Sequence, residues 1–218
     1  MRYHPRLLSA IVICLFVLTA AAVSASTMNL LDALNDGAVR ADFRGTGDTG
    51  VDAIIERAAG GPDYVTVSPG TQFWAQRGGL QGQTTLGWVP IDVGADGIAH
   101  VQIPTACTNI NLPAPTPDDA MWPEPAPSGD MMRLCSIIRP ENHNPQVAQL
   151  AVWAVANDPS RQQLASHERD MITDEEASAA EREEAFDTLL RSAAALLKKA
   201  GLQPRKFRMF RHTDLGQQ

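Results

Sequence analysis

"NPQVAQLAVWAVANDP", Asn144 to Pro159, decides how the chain has to fold. Asn144 is a good N-cap with Pro145 at the first helical position, and Asn157-Asp158-Pro159 is a stop signal, so the stretch predicts a helix of about three turns. From Val147 to Val155 every residue is Ala, Val, Leu or Trp except Gln149. A helix apolar around nearly its whole circumference has to be covered on all sides by the rest of the molecule. It also carries one primary amide into that apolar surface, and a buried amide persists only where its donors and acceptor find partners.

The cover has to come from both directions along the chain. Upstream, Val39, Ala41 and Phe43 alternate with Arg40, Asp42 and Arg44, the period of a half-buried strand. "GTGDTG" (Gly45 to Gly50) turns the chain, and Val51, Ala53 and Ile55 alternate again. "GGPD" turns, "YVTV" extends and "SPGT" turns once more. A further pair, Leu86 to Val93 and Ile98 to Cys107, is joined by "GADG", whose Asp96-Gly97 predicts a hairpin. On the second of these strands Ala99, Val101, Ile103, Thr105 and Cys107 share a face by parity, so Cys107 points inward at a strand end. Short strands between Gly/Pro signals at this spacing indicate a small antiparallel sheet or sandwich.

Residues 108–130 hold six prolines and little periodicity and read as a long ordered loop, whose length suggests function or covalent restraint. "DMMRLCSII" reads as a short helix or strand ending before Pro140. The last element begins with a capping box at Thr173 and Glu176, carries acidic residues in its first turns and Lys198 and Lys199 in its last, and is closed by Gly201. Phe186, Leu189, Leu190, Ala193, Leu196, Leu197 and Ala200 fall on its one apolar face. No internal repeat is present. The expected fold is α+β: an N-terminal antiparallel β-sandwich or partly closed barrel over residues 38–107, and a smaller C-terminal helical part, 131–218, packed on it. Residues 26–37 lead into the β-rich part.

The N-terminus bounds the compartment. "MRYHPRLLSAIVICLFVLTAAAVSAS" places two arginines before an apolar run and small residues after it, the order of a secretory signal peptide over residues 1–25. No later segment is long enough to span a membrane, so the expected location is extracytoplasmic, periplasmic or secreted. The full chain has 18 Lys and Arg against 25 Asp and Glu; leaving out Arg2 and Arg6 gives 16 against 25, a formal charge of −9. That balance argues against nucleic acid as a partner.

Two cysteines follow the signal, Cys107 and Cys135. In an oxidising compartment a single Cys107–Cys135 disulfide is the default; closing the proline-rich loop, it would contribute roughly 3 kcal/mol on the chain-entropy model. A second chemistry competes for the same thiol. A cysteine can displace ammonia from a glutamine amide to form an internal thioester, if the two are held in contact away from water. Such a bond stays latent until an amine or hydroxyl attacks it. Cys107 on an inward strand face, Gln149 on an apolar helix and Trp153 one turn later supply the residue types. Gln149 also has a plain structural use, anchoring a loop carbonyl to the helix. The thiol cannot serve both bonds, and compartment and loop favour the disulfide.

The other constellations carry less. "GTGDTG" lies between two strands without the Lys-Ser/Thr of a phosphate loop and reads as a turn. Asp118, Asp119 and Glu124 sit in a proline-rich loop with no fixed separation. His100, His143, His167 and His212 lack metal-ligand spacing, so neither metal nor cofactor is expected. No Gly-x-Ser-x-Gly elbow marks a serine nucleophile.

Over Val101 to Asn157 the chain resembles a known family. "QLAVWA" looks like the Gln-x-Ala-Ile-Trp motif of the bacterial thioester domains found on surface adhesins. "ACTNIN", a Cys just after a strand and before a polar turn, resembles their cysteine motif. The order, strands then Cys then a helical part holding the Gln, is also theirs. The resemblance implies Cys107 as thiol and Gln149 as acyl donor, and an exported binding protein, without turnover, that captures an unknown protein or surface ligand. The alternative class is a secreted hydrolase using carboxylates or histidines.

Overall fold

The computed structural model describes residues 26–94, 96–172 and 177–211. The expected signal peptide, the Thr173–Glu176 capping box and His212 lie outside the described residues. In chain order the strands are β1 (Thr27–Asn29), β2 (Val39–Gly45), β3 (Gly50–Arg57), β4 (Tyr64–Val67), β5 (Gln72–Ala75), β6 (Gln83–Thr85), β7 (Val89–Asp92), β8 (Ile98–Cys107) and β9 (Met121–Glu124). The helices are α1 (Leu30–Asn35), α2 (Gly129–Ile137), α3 (Pro145–Asn157), α4 (Arg161–Leu164), α5 (Glu168–Met171) and α6 (Ala179–Lys199).

The fold is α+β, with a nearly closed, barrel-like antiparallel sheet and a smaller helical part. Six strands run in the order β2-β3-β8-β6-β5-β9, and a bridge from Arg44 to Ala120 brings the two edges together. A second sheet, β1-β4-β7, packs on this barrel. Alternation explains the layering: Val39, Phe43, Val51, Ala53, Ile55 and Ile103 all turn inward, where they meet Val65, Val67 and Ile91 of the second sheet. Phe43 and Phe73 pack with ring centroids 5.2 Å apart.

The apolar helix is where its composition demands. Asn144 caps α3, its side-chain oxygen accepting from the N–H groups of Gln146 (2.8 Å) and Val147 (3.3 Å), and Asp158 ends it in the left-handed conformation. Ala148, Leu150, Ala151, Val152 and Ala154 are buried, enclosed by α2, α6 and the end of β8. Phe186, Leu190, Ala193 and Leu197 supply the α6 side of this second core, as the apolar face predicts. The helix α6 starts at Ala179 on a capping box formed by Ser178 and Glu181. Among the described residues no helix is long and apolar enough to cross a membrane.

Three expectations are corrected, and two strands are added. Asp96-Gly97 does not close a hairpin: β7 pairs with β4 in one sheet while β8 lies between β3 and β6 in the other, so the turn is a corner between sheets. Turn chemistry is local, but the choice of strand partner is tertiary. The proline-rich stretch is not all loop, because Met121 and Pro123 turn inward and β9 pairs with β5 as an edge strand. An edge tolerates the missing proline donor. Strands β5 and β6 were not legible in the sequence, since Gln72, Gln83, Thr84 and Thr85 are polar yet buried. Finally, the Cys107–Cys135 disulfide is absent: both thiols are free and buried. Cys107 ends β8 facing the Asp48 turn, whereas Cys135 lies on α2 between Thr84 Oγ1 (3.9 Å) and Met131 Sδ (3.7 Å).

Candidate functional site

The site forms where β8 outruns its neighbour. Strand β3 begins at Gly50, opposite Pro104, so the last residues of β8 have no β3 partner. Thr105 N–H still finds the Thr49 carbonyl at 3.0 Å. Cys107, two residues on, presents its N–H and carbonyl to the same side with no strand to receive them. Helix α3 fills the gap with one side chain. Gln149 Oε1 accepts from Cys107 N–H at 2.9 Å, and Gln149 Nε2 donates to the Cys107 carbonyl at 2.7 Å. The amide thus acts as one more rung of the ladder and meets the rule that buried backbone groups be paired. The two residues that the sequence singles out are in direct contact.

The Cys107 side chain is 1% exposed. Its sulfur lies 3.6 Å from Asp48 Oδ1 and 3.5 Å from the Asp48 carbonyl. The side chain of Gln83, its cross-strand neighbour on β6, lies on the same side of the sheet near the sulfur. Burial, reinforced by the adjacent Asp48 carboxylate, pushes the thiol well above the ordinary cysteine range, with Gln83 pulling weakly the other way. At neutral pH Cys107 is a thiol, not a thiolate.

Asp48, Cys107, Gln149 and Trp153 line one cavity of about 450 Å³, with Leu86, Ile110, Ile138 and Met171 among its apolar walls. Trp153 follows Gln149 by four residues, hence on the same helix face, and its ring packs against that of His167 with centroids 5.1 Å apart. Among the described residues, Gln81 Oε1, Thr105 Oγ1 and Trp153 Nε1 are buried without a protein partner, and all three residues line this cavity. His143, His167 and Asp170 also face it.

The remaining sequence candidates are dispersed. Asp119 is a loop staple: hydrogen bonds from the Thr116 N–H and hydroxyl, both 2.8 Å, and then Arg77 at 2.9 Å, hold its carboxyl below the usual range. Asp118 and Glu124 are exposed, and His100 lies on the outer face of β8. Among the described residues no three His, Cys, Asp or Glu converge as a metal site. Cys135 is not part of the cavity lining; burial pushes its thiol up to about 12. Asp48 and Gln83 are the residues that sequence reading missed, and His167, which lacks metal-ligand spacing, reaches the cavity through its packing on Trp153. Asp48 and Cys107 are 59 residues apart, and nothing local in a Gly-rich turn signals such a contact.

No family model, curated protein or solved structure matches this chain.

Proposed function

We propose that the chain is an exported envelope or extracellular binding protein that captures a nucleophilic partner covalently, through a thioester between Cys107 Sγ and Gln149 Cδ. The carrying observation is the double hydrogen bond between the Gln149 amide and the Cys107 backbone, at a cavity that both residues line. Those bonds hold the amide carbon beside the cysteine and polarise its carbonyl through Oε1. The thiol adds to Cδ, the C–N bond breaks, and ammonia leaves with the thiol proton. A partner amine or hydroxyl then attacks Cδ, the C–S bond breaks, and the partner stays bound as an amide or ester. The apolar walls and Trp153 keep water from competing. The expected partner is a protein or surface ligand, and the formal charge of −9 after residues 1–25 disfavours nucleic acid. Export rests on the charged start, apolar centre and small-residue end of residues 1–25; N-terminal sequencing of exported protein is expected to begin between Val23 and Ser26.

Intact mass tests the capture. The mature chain is expected to be lighter by one ammonia, roughly 17 Da, and to take up methylamine at Gln149. Both properties vanish in Cys107→Ala and in Gln149→Ala and persist in Cys135→Ala. A full-mass protein that ignores methylamine leaves Gln149 as a structural staple. The same cavity holds His143, His167 and Asp170, which favours a secreted hydrolase as the second reading. Steady turnover of a chromogenic ester that survives Cys107→Ala and disappears in His167→Ala would replace capture by hydrolysis. A cysteine hydrolase is disfavoured, because such enzymes need a lowered thiol pKa and this one is raised.

A further inference from the structure

The turn Gly45 to Gly50, "GTGDTG", joins β2 to β3, a short Gly-rich connection in which an aspartate is ordinary. It is nevertheless held in one place. Gly47 N–H donates to the Pro115 carbonyl at 3.0 Å, the Gln83 amide donates to the Gly47 carbonyl, and Thr49 accepts from Thr105. Gly47 has φ +94°, open to glycine at little cost, and a Cβ at Gly45 would come within 2.6 Å of Pro115. These restraints hold the Asp48 carboxylate at the Cys107 sulfur and on the wall of the cavity that Gln149 lines.

We propose, resting on the thioester reading, that Asp48 is the catalytic base of bond formation: its carboxylate takes the Cys107 proton as Sγ adds to Gln149 Cδ, and delivers it to the departing nitrogen. The C–S bond forms, the C–N bond breaks, ammonia leaves, and Asp48 ends as it began. In capture the direction reverses. An incoming primary amine gives its proton to Asp48 as its nitrogen bonds to Cδ, and Asp48 returns that proton to the sulfur as the C–S bond breaks. A buried thiol beside a carboxylate does not ionise ahead of attack, so the proton has to leave during it, and a general base in contact with the sulfur is what that step needs. The other titratable groups of the cavity are His143, His167 and Asp170. The His143 ring accepts from Arg139 N–H at 3.0 Å and the His167 ring packs on Trp153, whereas Asp48 touches the sulfur.

The test follows ammonia loss by intact mass after the mature chain, purified unfolded, is diluted into refolding buffer, together with the rate of methylamine uptake by the cyclised protein. Asp48→Asn is expected to slow both by about 100-fold or more, the usual contribution of a general base, with an unchanged melting temperature. Asp48→Glu is expected to restore most of the rate, and added formate to accelerate Asp48→Ala, neither of which a structural role would produce. Asp48→Asn cyclising at the wild-type rate overturns the assignment and leaves the thioester standing. Slow variants that neither glutamate nor formate rescues also overturn it. A wild-type chain that never loses ammonia overturns the thioester reading and this inference together.

Discussion

Cys107 and Cys135 are both buried, both free and both held as neutral thiols, yet their surroundings are of opposite kinds. Around Cys135 the groups are Thr84 and Met131, weak partners inside a closed core. Around Cys107 they are a carboxylate, two primary amides and a cavity. The first arrangement fills space; the second brings a carboxylate to the sulfur and a primary amide to the backbone of the same residue, beside a cavity. Equal burial therefore does not make the two cysteines alike. What separates the two is the polar groups that the fold brings to one of them at the cost of their hydration.

The sharpest break of this comparison is Trp153→Ala. Removing a large aromatic that is 6% exposed is expected to cost about 3–5 kcal/mol in a denaturant melt, because neighbours fill the space only in part. It should also open the Cys107 side alone, so that in the folded protein a disulfide reagent reaches Cys107 once methylamine has freed its thiol, and does not reach Cys135. A cost below about 1 kcal/mol would contradict the enclosure of α3.

Next in size is Gln149→Ala, expected to cost about 1–3 kcal/mol, since it leaves the Cys107 N–H and carbonyl without partners. Cys135→Ala loses only a small buried group and is expected to cost about 1 kcal/mol. Equal costs for the two would erase the distinction between staple and filler.

The effect that is smallest near neutrality, and accumulates only in alkaline solution, concerns pH. Cys135 titrates near 12 when folded and near 8.5 when unfolded, so the unfolded chain loses its proton first as pH rises. The stability it contributes is complete below about pH 8.5 and declines above it, at about 1 kcal/mol per pH unit, until the folded thiol ionises. Comparing wild type with Cys135→Ala across pH 8–11 isolates this share. Cys107 adds a decline of the same sign as a free thiol and none as a thioester, so Cys107→Ala flattens the alkaline profile only if the bond is absent.

How much was legible follows from what each element depends on. The helix α3, its cap at Asn144, its stop at Asp158 and the apolar face of α6 could be read directly, because period and capping are local and strong. The inward placement of Cys107 followed from strand parity, which Pro104 does not disturb. Strand β6 was hidden because its buried residues, Gln83, Thr84 and Thr85, are polar, and β5 because it buries Gln72 next to Phe73 in a strand too short to show an alternation. Strand β9 was hidden by its prolines, which an edge can accommodate.

The sequence by itself determined that a helix of Ala, Val, Leu and Trp would be enclosed, that Gln149 would need partners there, and that Cys107 would face inward. Which partners these would be was decided only by tertiary structure. Strand β3 begins just too late to pair with Cys107, so the Gln149 amide takes the place of a strand, and the β2–β3 turn brings Asp48 to the same sulfur. Both contacts join residues 42 and 59 positions apart, and the enclosing core that makes them favourable exists only after the barrel and helices have packed. For the same reason Cys135 was free to point elsewhere: a disulfide depends on where two elements dock, and α2 docks with its thiol toward Thr84 rather than toward Cys107.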